Sequence, residues 1–325
     1  MSEATTVRIA IVGTGYVGAT TAYTLLLRGL APELVLVDAE QRKAEGEALD
    51  LSHAAPLLYP ARIRTGGVDQ CAGAQITIVA AGAAQAPGES RLDLLHRNAA
   101  IFQEIVPAIA RHNPSGIILI ATNPVDVLTF VAQRISGLPE SRVIGSGTIV
   151  DTTRFRHLLA QHYGVDPRSV HAYVIGEHGD SEVPVWSLAN IAGMRLTAFC
   201  QANGLQHDPV VMDEIFARTR NAAYEIIGRK GATAYAVAAG IARIVEAILR
   251  DQKSVLTVST RVPGAYDLAD VCLSLPAVIG RAGVERVLRL EMSAQEGDAL
   301  SRSAAVLESS IRELGLKPPQ WNGAT

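Results

Sequence analysis

One histidine near the middle of the chain stands between two glycines, and its neighbours make it a candidate for proton transfer. Residues 174–184 read VIGEHGDSEVP, and an apolar, strand-like run over residues 170–175 leads into them. Gly176 and Gly179 would let the backbone turn sharply at the end of that strand. The imidazole of His178 would then be presented at a strand end. Because histidine changes charge near neutral pH, His178 is a candidate general acid and base.

Two charged residues that open a predicted helix supply a partner for this histidine and a group for a substrate. Asp151 and Arg154 stand three positions apart in the run DTTRFR. Residues with that spacing share one face of a helix, so the carboxylate and the guanidinium could point together. A carboxylate beside the imidazole would hold its orientation and stabilise its charged form. This arrangement predicts a raised pKa for His178.

The composition is typical of a folded enzyme in a reducing compartment. The chain has 325 residues, of which 48% are hydrophobic and 19% charged, so it is long enough for two packed domains. A net charge of −3 and scattered basic residues argue against a nucleic-acid partner. Cys71, Cys200 and Cys272 are too few and too widely spaced for a disulfide framework or a metal site. We expect no metal, no signal peptide, no membrane segment and a cytoplasmic location.

A glycine-rich turn near the N-terminus indicates a dinucleotide site. The predicted strand of residues 7–12 is followed by Gly13, Gly15 and Gly18 and then by a predicted helix over residues 19–27. Such glycines let the backbone approach a pyrophosphate at the helix N-terminus. A second predicted strand ends in Asp38, twenty residues after Gly18, where a carboxylate can bind the adenosine ribose and disfavour a 2′-phosphate. The pattern predicts NAD rather than NADP, and its alternative is a glycine turn in some other α/β protein.

Alternating strands and helices predict an α/β fold with two parts. Residues 1–147 are interpreted as a doubly wound parallel (Rossmann) sheet, with further strands at 76–81 and 116–121 around a helix over 92–112. Gly82 and Asn123 follow these strands, so they should line the cofactor cleft. Residues 148–325 are interpreted as a mixed α+β substrate domain. Its predicted helices cover 213–227, 233–250 and 292–314, and its strands cover 255–259 and 271–277.

The loop after Gly82 has the composition of a lid. It contains Pro87 and Gly88 and carries Gln85 and Arg91. An arginine on such a loop reaches a substrate only when the lid closes. The alternative for Arg91 is a solvated arginine that opens the next helix.

Taken together, these segments resemble a known family, the NAD-dependent L-2-hydroxy acid dehydrogenases, and most closely those of the bacterial L-lactate dehydrogenase type. The resemblance runs nearly end to end. It rests on five motifs that occur in the family's order: the glycine turn with Asp38, the loop 82–91, the run NPVD at 123–126, the run DTTRFR at 151–156 and the run GEHGD at 176–180.

The resemblance implies roles for individual residues. Arg154 is similar to the residue that clamps the substrate carboxylate through two parallel hydrogen bonds, and Arg91 to the lid residue that polarises the substrate carbonyl. Asn123 is similar to a residue that contacts both the nicotinamide side of the cofactor and the substrate. Thr233 is similar to a residue on the far wall of the substrate pocket. A homotetramer is also implied. The residues implied to bind the cofactor are Gly13, Gly15, Val17, Gly18, Asp38, Lys43, Gly82, Ala83, Asn123 and Ser146.

The proton chemistry follows from the reaction that these parts would perform. Hydride transfer to a 2-keto carbon leaves an alkoxide that needs a proton, so a general acid must stand within hydrogen-bond reach of that oxygen. His178 fits this need. Reduction of pyruvate would require the protonated imidazole and oxidation of lactate the neutral one. We therefore expect the two directions to have opposed pH dependence about one shared ionisation.

Two residues near the catalytic motifs suggest a second site. Arg156 is turned about 200° from Arg154 on the predicted helix, so it should face elsewhere. Bacterial lactate dehydrogenases that are regulated by fructose 1,6-bisphosphate resemble this chain in carrying an arginine and a histidine at the places of Arg156 and His171. The resemblance implies an anion site at a subunit interface. The alternative is a solvated helix arginine and a hydrogen-bonded strand histidine.

Other functions remain open at this stage. A dinucleotide-binding sensor or a structural protein can use the same fold, but it would be expected to lose at least one of Arg91, Asp151, Arg154 and His178. A malate dehydrogenase is the nearer alternative, and larger 2-keto acids are not excluded. Malate dehydrogenases usually carry a second arginine at the place of Gln85. Because a neutral amide cannot compensate a second buried carboxylate, Gln85 favours pyruvate and lactate over oxaloacetate and malate.

The interpretation of Gln85 predicts a switch of substrate. Gln85→Arg should shift the ratio of kcat/KM values for pyruvate and oxaloacetate toward oxaloacetate by several orders of magnitude, because the new guanidinium would compensate the extra carboxylate. Initial rates of NADH oxidation with each keto acid measure this ratio. An unchanged ratio in the variant would refute the assignment.

Overall fold

The structure is a computed structural model that describes residues 6–83, 91–262, 264, 266, 268 and 270–315. The first half of the chain alternates strands and helices as the sequence predicts. Its strands are β1 (Arg8–Val12), β2 (Glu33–Val37), β3 (Arg62–Thr65), β4 (Ile76–Val79), β5 (Ile117–Ile120) and β6 (Val143–Gly145). Its helices are α1 (Tyr16–Leu27), α2 (Gln41–Ala54), α3 (Arg91–His112) and α4 (Val125–Ser136).

The second half contains longer helices and shorter strands. After α5 (Ile149–Tyr163) come the strands β7 (Val170–His171), β8 (Val174–Ile175), β9 (Val183–Pro184), β10 (Asn190–Ile191) and β11 (Met194–Arg195). The helices α6 (Leu196–Asn203), α7 (Pro209–Lys230) and α8 (Tyr235–Leu249) follow. The described chain is completed by β12 (Ser254–Arg261), β13 (Cys272–Gly280), β14 (Gly283–Val287) and α9 (Ala294–Glu313).

A single large sheet joins the two halves. Its order is β14-β13-β12-β6-β5-β4-β1-β2-β3, in which the strands from β6 to β3 are parallel to one another. The predicted parallel sheet is therefore confirmed. Strands β12, β13 and β14 continue it in the antiparallel direction, and Ser259 pairs with Gly145 where the two parts meet. The sequence did not predict this extension, because strand partners are chosen by tertiary contacts.

Alternate residues of the parallel strands pack on opposite faces of the sheet. On β1, Ala10 belongs to the core that contains Phe102 of α3, whereas Ile9 and Ile11 belong to the core that contains Leu25 of α1. Both faces are covered by helices, so strands such as β2 and β4 are buried along their whole length. This explains why they read as continuous apolar runs rather than as alternating patterns.

The apolar run over residues 170–175 was predicted as one strand, and that prediction is wrong. The run forms β7 and β8, which belong to two different small sheets, with Ala172 and Tyr173 between them. The carbonyl of Ala172 accepts a hydrogen bond from Arg156 Nε at 2.8 Å, and the carbonyl of Tyr173 accepts one from the amide of Val185. Side-chain and loop donors therefore replace the ladder of a continuous strand.

The predicted helices of the second half are present with shifted ends. The elements that the sequence analysis did not predict are β3, β6, β9, β10, β11, β14, α2, α4 and α6. Short strands carry little periodicity, and α2 is largely polar, so neither gives a strong apolar pattern. No helix in the described residues combines the length and the apolar character needed to cross a membrane.

Candidate functional site

The loop that carries His178 is fixed by contacts from three separate parts of the chain. Gly176 adopts a φ of +86° directly after β8, and its backbone exchanges two hydrogen bonds of 2.9 Å with Ser274 of β13. A Cβ at Gly176 would lie 2.7 Å from Ser303 Oγ of α9, so glycine is required there for space as well as for conformation. The amide of His178 donates to Asp126 Oδ2 of α4 at 2.7 Å. The imidazole is thereby held at a defined position.

Asp151 bonds both His178 and Arg154, one through each of its carboxylate oxygens. His178 Nδ1 lies 2.5 Å from Asp151 Oδ2, and Arg154 Nη1 donates to Asp151 Oδ1 at 2.8 Å. The side chain of Asp151 is 3% exposed, that of Arg154 15% and that of His178 24%. The structure therefore places the three predicted residues in one cluster, with the carboxylate innermost and the two cationic groups toward the surface.

The charges of this cluster shift its ionisations in opposite directions. Burial lowers the pKa of His178, but the charge and hydrogen bond of Asp151, with smaller contributions from Asp126 and Glu182, outweigh burial and raise that pKa to about 9. Burial raises the pKa of Asp151, yet His178 and Arg154 bring it below its ordinary value. Both shifts favour an imidazolium beside a carboxylate. A raised pKa means that protonated His178 stabilises the fold below the ordinary pKa of 6.5, and that this contribution is lost as the pH rises through about 9.

Asp126 belongs to the site although the sequence analysis gave it no role. It lies in the first turn of α4, is 2% exposed, and accepts the amide hydrogen of His178. Burial raises the pKa of Asp126 to about 6, against the hydrogen bonds that lower it. A signal was present, because Asp126 is the last residue of the run NPVD. The sequence alone does not show that the side chain of Asp126 points from α4 toward the loop that carries His178.

The glycine turn is closed in the way that a dinucleotide site requires. Gly13 has a φ of +97°, and a Cβ there would lie 2.3 Å from the backbone of Ala81. A Cβ at Gly18 would lie 1.8 Å from the carbonyl oxygen of Gly13, so only glycine lets α1 pack this closely. Gly15 is the N-cap of α1, and nothing lies within 4 Å of the position that a Cβ would occupy there, which leaves room for a phosphate group beside the helix N-terminus.

Asp38 is bonded to this turn. Its Oδ2 accepts hydrogen bonds from the amide and the hydroxyl of Thr14 at 2.6 and 2.8 Å, and its Oδ1 accepts the amide of Glu40 at 3.0 Å. Burial raises the pKa of Asp38, but these bonds and the nearby charge of Lys43 bring it below its ordinary value. The carboxylate is therefore ionised at neutral pH at the end of β2, where it disfavours a second negative charge.

A buried amide links two strand ends of the predicted cleft. Asn98 of α3, which is 1% exposed, accepts the amide hydrogen of Ala83 at 2.8 Å and donates to the carbonyl of Asn123 at 2.9 Å. A Cβ at Gly82 would lie 2.5 Å from Thr122. Asn98 was not singled out from the sequence, because a polar residue within a helix gives no sign of which loops it bonds.

The other predicted cofactor contacts lie around the same edge of the sheet. Val17 is partly buried against the core below α1, and Lys43 is exposed on α2 beside Asp38. Ser146 follows β6 and its amide donates to the carbonyl of Ile120 at 2.8 Å. The carboxyl ends of the parallel strands thus converge, as expected for a doubly wound sheet.

The structure describes the three remaining predicted substrate contacts to different extents. Gln85 lies outside the described residues. Arg91 is the first residue of α3, and its side chain is not described. Thr233 lies in the connection between α7 and α8 and is half-buried.

The predicted anion pair has one member that is engaged and one that is exposed. Arg156 donates through Nε to the carbonyl of Ala172, and its guanidinium carbon lies 5.2 Å from the ring centre of Tyr173. His171 is exposed on β7, next to Ala172. Arg154 and Arg156 have different partners, because Arg154 donates to Asp151 whereas Arg156 donates to the carbonyl of Ala172. Both are among the residues that line a cavity of about 450 Å³ between α5, α8 and β12.

Comparison with known families matches nearly the whole chain. Residues 7–145 match the family described as the lactate/malate dehydrogenase NAD binding domain. Residues 148–315 match the lactate/malate dehydrogenase alpha/beta C-terminal domain. The first of these matches makes NAD the cofactor of this protein and agrees with the glycine turn and Asp38.

Relatives and solved structures give the same result. The chain is 52% identical over 310 residues to an L-lactate dehydrogenase of Moorella thermoacetica, which covers 95% of this chain and 98% of the relative. It is 52% identical over 302 residues to an L-lactate dehydrogenase of Synechococcus sp. strain JA-3-3Ab, covering 93% of this chain and 97% of the relative. A minor L-lactate dehydrogenase from Enterococcus mundtii, solved with ligands bound, superimposes with a TM-score of 0.92 at 40% identity over 95% of this chain and 98% of the other.

A lactate dehydrogenase from a Medee basin deep-sea metagenome library superimposes with a TM-score of 0.91 at 39% identity, over 96% of this chain and 99% of the other. The likeness therefore holds in sequence and in fold over both halves. The chain belongs to the lactate/malate dehydrogenase family.

Proposed function

We propose that this protein catalyses the reversible reduction of pyruvate to L-lactate by NADH. The observation that carries the proposal is the carboxylate of Asp151, which bonds His178 through one oxygen and Arg154 through the other. A proton carrier and a carboxylate-binding group are thus held side by side. A 2-keto acid presents a carbonyl oxygen and a carboxylate in the same close relation. The relatives named L-lactate dehydrogenase support the same substrate.

His178 would act as the proton donor and acceptor. Its Nδ1 faces Asp151, so the second ring nitrogen, Nε2, is the one that would face the substrate oxygen. NADH, when bound, supplies the hydride to the keto carbon. The proton on Nε2 then passes to the carbonyl oxygen, and the negative charge of Asp151 holds the imidazolium until that transfer. In the direction of lactate oxidation, the neutral imidazole takes the hydroxyl proton.

Substrate binding would depend on charged side chains and on one neutral side chain, that of Gln85. Arg154 would bind the substrate carboxylate through two parallel hydrogen bonds, and Asp151 fixes the plane of its guanidinium. Arg91 would polarise the carbonyl when the loop before α3 closes. Asn123 and Thr233 would complete the pocket, and Gln85 would border the methyl group of pyruvate. Oxaloacetate reduction, the malate dehydrogenase alternative, is disfavoured because Gln85 is neutral.

We assign cofactor binding to the carboxyl edge of the parallel strands. The pyrophosphate would lie at Gly13, Gly15 and Gly18, beside the start of α1, and the adenosine ribose would lie on Asp38. The contacts nearer to the nicotinamide would come from Ala83, Asn123 and Ser146. The remaining contacts would come from Val17, Lys43 and Gly82.

We also propose properties of the assembled protein that rest on the family resemblance. The protein would be a cytoplasmic homotetramer whose cofactor and substrate domains divide between residues 147 and 148. Fructose 1,6-bisphosphate would activate it by binding at a subunit interface through Arg156 and His171. The exposed position of His171 supports this proposal, because a phosphate can reach it. Charged His171 would bind phosphate better, so activation should strengthen as the pH falls.

Asp151→Asn tests the proposed proton transfer. Burial lowers the pKa of His178, and Asp151 is the largest contribution that raises it, so the variant should lose the imidazolium at a lower pH than about 9. The kcat/KM for pyruvate reduction should fall by about two orders of magnitude or more, and its decline at alkaline pH should begin earlier. Initial rates of NADH oxidation over a pH series measure both effects.

Asp166→Asn serves as the matched control, since it removes a carboxylate that is paired with Arg168 at the surface. That variant should keep the wild-type pH profile and rate. An Asp151→Asn protein that folds and retains the wild-type profile would contradict the role of the Asp151–His178 pair.

Arg156→Ala tests the effector site. The variant should lose the increase in activity that fructose 1,6-bisphosphate gives at low pyruvate concentration, while activity at saturating pyruvate is retained. Arg168→Ala is the control, because Arg168 is an arginine of the same region with a side chain that is 91% exposed. Activation that persists in Arg156→Ala to the same extent as in Arg168→Ala would exclude the site.

A further inference from the structure

A third buried carboxyl group, after those of Asp151 and Asp126, lies on the loop that carries His178, and the proposed reaction leaves it without a role. Glu182 follows His178 by four residues and is 6% exposed, and its amide donates to the carbonyl of Gly179 at 3.2 Å. Within the described residues its Oε1 is buried without a hydrogen-bond partner. Burial of a charged carboxylate without partners is strongly unfavourable, so such a group is expected to hold a proton or to face compensating charges.

Glu182 interacts electrostatically with charged groups from three parts of the chain. Asp151 and Arg154 lie on α5, His178 lies on the same loop, and Arg220 lies on α7. Burial raises the pKa of Glu182 to about 8, the charge of Asp151 adds to this shift, and His178, Arg154 and Arg220 oppose it. Glu182 in turn contributes to the raised pKa of His178. The group is thus neutral at neutral pH and gains its charge in the alkaline range.

The consequence concerns the charge that Arg154 can offer to a substrate. With Glu182 protonated, the cluster of His178, Asp151 and Arg154 has a net charge of about +1, which suits an anionic 2-keto acid. When Glu182 loses its proton, the net charge of Glu182 and these three groups together falls to about zero. A carboxylate of the protein is then placed near the substrate carboxylate that Arg154 must bind. Electrostatic interactions in a buried site are screened weakly, so the affinity for an anion should fall.

We propose that Glu182 is a positioning residue whose proton keeps the His178, Asp151 and Arg154 cluster cationic, and that loss of this proton weakens binding of the substrate carboxylate. The inference rests on the proposed function, in which Arg154 binds the carboxylate of an anionic 2-keto acid. Glu182 acts through Arg154 and His178 and does not touch the reacting atoms. Its effect is therefore expected in KM for the keto acid and in the pH dependence of that KM.

Glu182→Gln separates the charge from the shape of this side chain. At about pH 6, where glutamic acid is already neutral, the variant and the wild type should have KM values for pyruvate within about twofold of each other. At about pH 9, the ratio of the ionised to the protonated form of a group with a pKa of about 8 is roughly ten to one. If only the protonated form binds the substrate well, the wild-type KM should rise about tenfold more than that of the variant. The alkaline decline of kcat should begin at a lower pH in the variant, because His178 loses a supporting negative charge.

The control is Glu296→Gln, which removes a carboxylate of similar burial, since Glu296 is 8% exposed. Glu296 accepts hydrogen bonds from Ser187 and Ser293. It should keep the wild-type dependence of KM on pH. Thermal melting establishes that each variant is folded, and Glu182→Met provides a second neutral side chain of similar length if Glu182→Gln does not fold.

The outcomes are distinguishable. A wild-type protein that reduces no pyruvate at any pH would refute the proposed function and this inference with it. An active wild type whose KM rises with pH as steeply as that of folded Glu182→Gln would leave the proposed function standing and overturn the role of Glu182. A flatter KM profile in both neutral variants, but not in Glu296→Gln, is the result that the inference predicts.

Discussion

The buried carboxylate of Asp151 is the constraint on which the site depends. A charge that is 3% exposed is tolerated in a protein interior only when opposite charges and hydrogen bonds compensate its lost hydration. Here Arg154 and His178 provide that compensation, one on each oxygen. The same pairing raises the pKa of His178 and fixes the guanidinium that would bind a carboxylate. The pairing that compensates the buried charge of Asp151 is therefore also the one that would prepare His178 for proton transfer and Arg154 for substrate binding.

This pairing requires α5 and the loop after β8 to keep a constant separation. Thr152, the residue after Asp151, accepts the amide hydrogen of Val174 through its hydroxyl at 3.0 Å, and Thr148 donates to the carbonyl of Val174 at 2.6 Å. Asp126 holds the loop from the side of the parallel sheet, and Ser274 holds it from the antiparallel extension. The loop that carries His178 is thus supported from both halves of the chain.

Much of the fold and part of the site could be predicted from local sequence. Buried parallel strands such as β2 read as continuous apolar runs, and the pair Asp151 and Arg154 share a helix face by spacing alone. The break between β7 and β8 could not be predicted, since it depends on a hydrogen bond from Arg156. Asp126 and Asn98 were missed for the same reason, because their partners are distant in sequence and are set by tertiary packing.

One ionisation, that of His178 beside Asp151, would serve both directions of the proposed reaction. The most direct test measures the single-turnover rates of pyruvate reduction with NADH and of L-lactate oxidation with NAD, each at saturating substrate, on the same wild-type preparation from about pH 6 to pH 10. Reduction should decline and oxidation should increase as the pH rises toward the raised pKa of His178, with a shared midpoint. Parallel pH profiles for the two directions, with the chemical step limiting, would contradict it.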